Sequence, residues 1–126
     1  SGAARDLVRR AKEAKFMDQV QTFKVLDVIA REGRPHEVEV QVITIGPDIA
    51  FVSLPGEIFV ELGLEIKKRS PFRYTHLIEL ANGAIGYIPN RSAYAEGNYE
   101  VVSARVAAGS GEMLVESAVQ LLKAAK

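Results

Sequence analysis

The feature that most constrains this chain is an abrupt change of pattern within residues 49–69, IAFVSLPGEIFVELGLEIKKR. The first six residues form a short apolar run that is typical of a buried strand. Pro55-Gly56 then makes a tight turn, and a helical pattern follows from Glu57 to Arg69. A strand, a tight corner and a helix in direct succession are the building unit of α/β folds. The sequence therefore predicts a sheet that is covered by helices.

Further strands and helices are predicted on both sides of this unit. Apolar residues at three- and four-residue spacing predict helices over 3–15, 18–31, 57–69 and 112–125. Strand-forming residues predict extended chain over 36–46, 49–54, 74–83 and 100–106. Residues 84–100 mix aromatic and turn residues, which indicates a surface loop with a short helical piece. The predicted fold is an α/β sandwich, in which a mixed β-sheet is packed by amphipathic helices.

Composition excludes several classes of function. The chain has 126 residues, enough for one α/β domain, and its sixteen basic residues balance sixteen acidic ones. This neutrality argues against nucleic acid or an anionic membrane surface as the main partner, because both select for a basic excess. There is no cysteine, so disulfides and thiolate metal sites are excluded. No apolar run approaches the roughly 20 residues that a membrane-spanning helix needs.

Glu57 has two interpretations from the sequence alone. An acidic residue in the first turn of a helix complements the helix dipole, which typically contributes about 0.3–1 kcal/mol. The turn that follows the carboxyl end of a strand is also where α/β folds place functional groups. Glu61 and Glu65 follow at four-residue spacing, which predicts an acidic helix face that is either solvated or opposite a cation.

Tyrosines and histidines are the other candidates for chemistry. Tyr87, Tyr94 and Tyr99 lie within thirteen residues. Each either packs its ring and hydrogen-bonds its hydroxyl, or acts as a metal ligand or a donor to a developing oxyanion. His36 is expected to be solvated in a turn, and His76 to be a core histidine of a buried strand. Neither has a neighbouring ligand at the spacing of a metal site.

Three segments together resemble the neutral/alkaline ceramidase family, and most of all its bacterial ceramidase-like members. They are IGPDIAFVSLPGEIFVELGLEIKKRSPF, LIELANGAIGYIPNRSAYAEGNYE and AGSGEMLVESAVQLL. The Pro-Gly-Glu turn, a tyrosine thirty residues later and a Tyr-Glu pair twelve beyond that occur in the family's order. The resemblance implies that residues 36–126 are the C-terminal part of a catalytic domain. Residues 3–35 would then be a helical lead-in. Ser1-Gly2 is interpreted, from these two residues alone, as a remnant of tag removal.

The resemblance also implies a site and an activity. In that family one zinc ion hydrolyses the amide bond of N-acylsphingosines, held by two histidines, a glutamate and a tyrosine. Carried over by position, Glu57 and Tyr87 are the metal ligands, and Tyr99 is the catalytic tyrosine near the substrate. The two histidines belong to the N-terminal part of the domain, which is the expected partner. This chain is therefore expected to be inactive alone toward a ceramide-like or other N-acyl substrate.

Two alternatives to a partial enzyme remain at this point. The chain could be a non-catalytic α/β module for binding or assembly that has the fold without the site. Apolar surface that stays exposed could also let the chain form a homodimer. Zinc binding distinguishes the first alternative from the partial enzyme, and light scattering tests the second.

Overall fold

A computed structural model describes residues 2–11 and 14–126 of the chain. The helices are α1 (Gly2–Ala11), α2 (Phe16–Ala30), α3 (Val60–Arg69), α4 (Tyr99–Ser103) and α5 (Ser110–Ala124), with a 3₁₀ turn at Arg91–Ala95. The strands are β1 (Gln41–Ile45), β2 (Ile49–Ser53), β3 (Glu57–Ile58), β4 (Tyr74–Ile78) and β5 (Tyr87–Ile88). None of the helices within the described residues is long and apolar enough to span a membrane.

The central sheet has three strands in the order β1-β2-β4. β1 and β2 run antiparallel, as their short connection requires, and β2 and β4 run parallel, joined by a crossover that includes α3. β3 and β5 form a separate two-stranded parallel sheet. The predicted α/β class with a mixed sheet is therefore confirmed.

The core lies on one side of the central sheet. Ala50 and Val52 of β2 are completely buried there, and α3 and α5 pack together on that side. Burying a side chain of valine or leucine size stabilises the fold by about 1.5–3 kcal/mol. The helices contribute the following buried side chains: Leu62, Ile66, Val115, Ala118, Val119 and Leu122.

The opposite side of the central sheet is an exposed apolar surface, which we call the outer sheet face. Strand register places Ile43, Phe51 and His76 side by side on it. Ile43 and Ile45 are 56% and 59% exposed. The prediction of a buried strand over 49–54 holds fully for one face of β2 only, since its side chains alternate between buried and half-buried. Alternate side chains of a strand point to opposite faces, and both packing helices lie on the same one.

Several predicted elements also differ from the structure in their bounds or their type. α3 begins at Val60, because Glu57–Ile58 are drawn into β3, so Glu57 does not share a helix face with Glu61. The extended segment predicted over 100–106 is wrong, since Tyr99–Ser103 are helical. The Ser103 hydroxyl there donates to the Tyr99 carbonyl oxygen over 2.8 Å, a local bond that favours the turn. The helix predicted over 3–15 extends past α1 into residues 12–13, which lie outside the described residues.

Candidate functional site

The Pro-Gly corner after β2 is held by the end of β4 and by the segment that follows it. The Leu54 amide donates to the Ile78 carbonyl oxygen over 2.9 Å. One residue later, the Ile85 amide donates to the Pro55 carbonyl oxygen, also over 2.9 Å. Pro55 and Gly56 are both buried. The corner therefore presents the next residue, Glu57, from a fixed backbone.

Gly56 is required sterically at this corner. A Cβ atom on Gly56 would lie 2.5 Å from the Gly86 carbonyl oxygen and 2.8 Å from Cδ1 of Ile88. The chain can approach β5 this closely only without a side chain. It then pairs with β5 through the Glu57 amide, which donates to the Gly86 oxygen over 3.0 Å, and the Phe59 amide, which donates to the Ile88 oxygen over 3.1 Å.

The pairing of β3 with β5 brings Glu57 and Tyr87 together. The two residues are direct register partners on adjacent parallel strands, as are Ile58 and Ile88. Register partners have their side chains on the same face of a sheet. Glu57 and Tyr87 are both half-buried, whereas Ile88 is completely buried on the other side of β5. A carboxylate and a phenol thus lie side by side at the edge of the core.

The electrostatics of Tyr87 reflect this arrangement. The negative charge of Glu57 is the largest cause that raises the pKa of the Tyr87 phenol above its usual value. Partial burial, Tyr99 and the Glu100 carboxylate raise this pKa further, in that order. Each of these disfavours a phenolate. In the isolated chain Tyr87 is therefore a neutral phenol that can donate a hydrogen bond toward Glu57.

Tyr99 completes an aromatic cluster with Tyr87. The ring centroids of Tyr87 and Tyr99 are 6.0 Å apart in an edge-to-face arrangement. Phe16 of α2 stacks on the other side of Tyr99, with the centroids 6.1 Å apart. Tyr99 still exposes 42% of its surface. The sequence contains no signal for the Phe16 contact, because α2 is some eighty residues away along the chain.

Tyr94 and Glu65, two further candidates from the sequence, make structural contacts. The Tyr94 hydroxyl donates a hydrogen bond to the Val106 carbonyl oxygen over 2.8 Å. This bond connects the 3₁₀ turn to the loop before α5. Glu65 lies 4.0 Å from Arg69, which also makes a two-pronged ion pair with Glu116 of α5. This ion pair connects α3 to α5 at the surface.

The structure corrects both histidine expectations. His36 is not solvated, since only 19% of its side chain is exposed. His76 is not buried, because it lies on the outer sheet face and stacks on Phe51 with centroids 5.2 Å apart. Neither is among the groups that act on Tyr87. Within residues 2–11 and 14–126, no three His, Asp or Glu side chains are grouped so that they could hold a metal ion.

Replacing Gly56 with alanine tests the role of the corner. The new methyl group collides with the Gly86 carbonyl oxygen, so we expect the G56A variant to lose about 1–3 kcal/mol of unfolding free energy. Gly2→Ala is the matched control, because a Cβ atom there meets no neighbour within 4 Å. Urea denaturation measures both variants. Equal stability of G56A and the parent chain would show that the close approach of β3 to β5 is wrong.

Replacing Glu57 with glutamine tests the contact between the two side chains. Because the Glu57 charge raises the pKa of Tyr87, its removal should lower that pKa toward the ordinary value of about 10. A pH titration of the tyrosine ring carbons by NMR follows this change. Glu61→Gln is the control, since Glu61 is exposed on α3 and is not among the groups that act on Tyr87. An unchanged pKa of Tyr87 in E57Q contradicts the pairing of the side chains.

No protein-family model matches this chain, and no curated protein sequence matches it. Among solved structures, it is similar to the neutral ceramidase from Pseudomonas aeruginosa, with a TM-score of 0.57 and 21% sequence identity. The similarity covers 68% of this chain and 15% of the ceramidase chain, so this chain spans a small part of that protein's length. At this level of identity the comparison concerns the fold, and the chain has a ceramidase-like fold.

Proposed function

We propose that this chain carries part of the site of a zinc-dependent amidohydrolase that resembles neutral ceramidase. Glu57 and Tyr87 are its metal ligands, and Tyr99 is its substrate-facing catalytic residue. The remaining ligands are two histidines from a separate segment, the N-terminal part of the catalytic domain. The substrate is a ceramide-like or other N-acyl compound, cleaved at a linear amide bond.

The observation that carries this proposal is the register pairing of Glu57 with Tyr87. The two residues are thirty positions apart in the sequence, yet their side chains share one face at the edge of the core. The Glu57 charge is also the largest cause that raises the pKa of Tyr87, as expected for a phenol near a carboxylate. The ceramidase-like fold supports the family part of the proposal, and the assignment of the individual residues depends on the register pairing.

The donors of this pair suit half of a zinc site. Zinc takes carboxylate oxygens together with imidazole nitrogens, usually with four ligands in total. Glu57 supplies a carboxylate, and Tyr87 supplies a phenol that a cation would help to deprotonate, since a positive charge opposes the effect of Glu57. His36 and His76 lie elsewhere in the fold, so the histidine ligands must come from the partner segment.

The residues of this chain have separate tasks in such a reaction. Zinc, when bound, supplies Lewis acidity toward water and the amide carbonyl. Glu57 and Tyr87 hold it on the rigid β3–β5 pair. Tyr99 has an exposed edge, from which its hydroxyl donates a hydrogen bond to the carbonyl oxygen as negative charge develops there. Phe16 stacks on the Tyr99 ring and fixes its orientation.

Zinc titration tests the proposed site. We expect the chain alone to bind zinc weakly, because two ligands are too few for a stable site. Addition of a segment that supplies two histidines should raise the affinity by at least about tenfold, since each added ligand contributes to binding. Glu57→Gln and Tyr87→Phe should abolish this gain, and Tyr99→Phe should keep it. Isothermal titration calorimetry measures all four proteins.

Glu61→Gln is the matched control for charge, because Glu61 lies on the exposed face of α3. Tight zinc binding by the chain alone, unaffected by E57Q, contradicts the half-site. Absence of binding even with the histidine segment favours the alternative, a non-catalytic module.

The alternative function, an assembly module or homodimer, is favoured by one observation, the outer sheet face. Besides its isoleucines, this surface exposes 48% of Tyr74 and 45% of Ile78. Contiguous apolar surface of this kind is typical of protein–protein contacts.

Light scattering with an outer-face variant tests the homodimer. If two copies pack through this surface, Ile43→Lys on its edge strand β1 should give monomers, because a charge there would be buried without a partner. Gln120→Lys, on the exposed side of α5, should leave the mass unchanged. A monomeric parent chain, or a dimer that survives I43K, rules out this interface.

A further inference from the structure

A cleft of about 360 Å³ lies beside β5, on the side away from Tyr87. It is formed by the end of α2, the segment that follows it, β5 and the start of α5. Most of its surface is apolar, and its apolar lining residues include Val28, Val38, Ile85, Ile88, Val106 and Leu114. Ligand-binding clefts in proteins begin at about 300 Å³, so this one is large enough for a small molecule.

Positive charge is concentrated among the lining residues of this cleft. Arg31, Arg34 and Arg105 all line it. The carboxylate of Asp27 faces them, 3.0 Å from Arg31 and 4.0 Å from Arg105, and the exposed Glu32 lies 3.7 Å from Arg34. Asp27 is therefore shared between two guanidinium groups. The net charge of these arginines and carboxylates is positive, although the net charge of the whole chain is zero.

His36 adds a buried polar atom to the same cleft. Its Nε2 atom is shielded from solvent and has no hydrogen-bond partner among the described residues, since Asp27 is 4.0 Å away. Burial, followed by the Arg31 charge, lowers the pKa of His36; Asp27 opposes this and Arg105 adds to it. A buried polar atom without a partner is costly to the fold. With its proton on Nε2, the His36 ring would donate a hydrogen bond to an anionic oxygen that reaches this atom from the cleft.

We propose that this cleft binds a small amphiphilic carboxylate, with its aliphatic chain along the apolar lining and its carboxylate toward Arg105, Arg34 and His36. The apolar surface favours a hydrocarbon, and the guanidinium groups favour a carboxylate through charge-assisted hydrogen bonds. The proposal is independent of the Glu57–Tyr87 site, because Ile88 lines the cleft and Tyr87 faces the other way.

The volume sets the size of the ligand. At about 30 Å³ for each non-hydrogen atom, the value for water in the liquid, the cleft holds about a dozen such atoms. Decanoate has this size and the proposed charge. It is therefore the probe for the test, used below the concentration at which it forms micelles.

The test is calorimetric titration of the chain with decanoate, followed by NMR of the methionine methyl groups. We expect a dissociation constant on the order of 0.1 mM for a ligand of this size. 1-Decanol and decyltrimethylammonium should bind at least about tenfold more weakly, because neither is an anion. The methyl signal of Met113, which lines the cleft, should shift, and that of Met17 should not.

Two variants locate the ligand. Arg105→Gln should weaken decanoate binding about tenfold through the lost charge, and Arg10→Gln, an exposed arginine outside the cleft, should not. Ala107→Leu should also weaken binding, because Ala107 is an exposed lining residue and a larger side chain there narrows the cleft. Equal binding of decanoate and decyltrimethylammonium, no binding of decanoate, or a shift of Met17 instead of Met113 overturns the proposal.

Discussion

The close approach of the chain at Gly56 to the backbone at Gly86 is the contact on which both candidate sites depend. Without a Cβ atom at position 56, the chain lies against the segment that leads into β5, and the Glu57 amide bonds to the Gly86 carbonyl oxygen. This contact sets the register of β3 against β5. Register in turn decides which side chains share a face, because a shift of one residue would move each side chain of the strand to the opposite face of the sheet.

The two faces of β5 consequently have different chemistry. On one face Tyr87 lies with Glu57 and Tyr99, a group of oxygen atoms and aromatic rings that we propose as half of a zinc site. On the other, Ile88 contributes to an apolar cleft with arginines among its lining residues, suited to an amphiphilic anion. Opposite charge preferences on the two sides of one short strand follow from the alternation of side chains.

Much of the fold was predictable from local patterns. The strand–turn–helix unit, the mixed sheet and α5 follow from apolar spacing and from Pro and Gly positions, which act over a few residues. The errors lie where distant contacts override these patterns. The local pattern predicts that Glu57 begins a helix, but pairing with β5 makes it part of a strand. The local pattern also predicts an extended segment after Asn98, but local hydrogen bonds and packing against α2 and β5 make this segment helical. His76 is exposed because the helices cover the other side of the sheet, and His36 is shielded because the chain returns past the end of α2, near Asp27.

The sequence by itself determined the α/β class, the neutral charge, and the order in which Glu57, Tyr87 and Tyr99 occur along the chain. These properties depend on residue identity and on neighbours a few positions away. Only the tertiary structure decided that Glu57 and Tyr87 are register partners, that Phe16 stacks on Tyr99, and that three arginines converge beside an apolar cleft. Each of these arrangements joins residues from separate elements, and the packing and strand register that join them are properties of the whole folded chain.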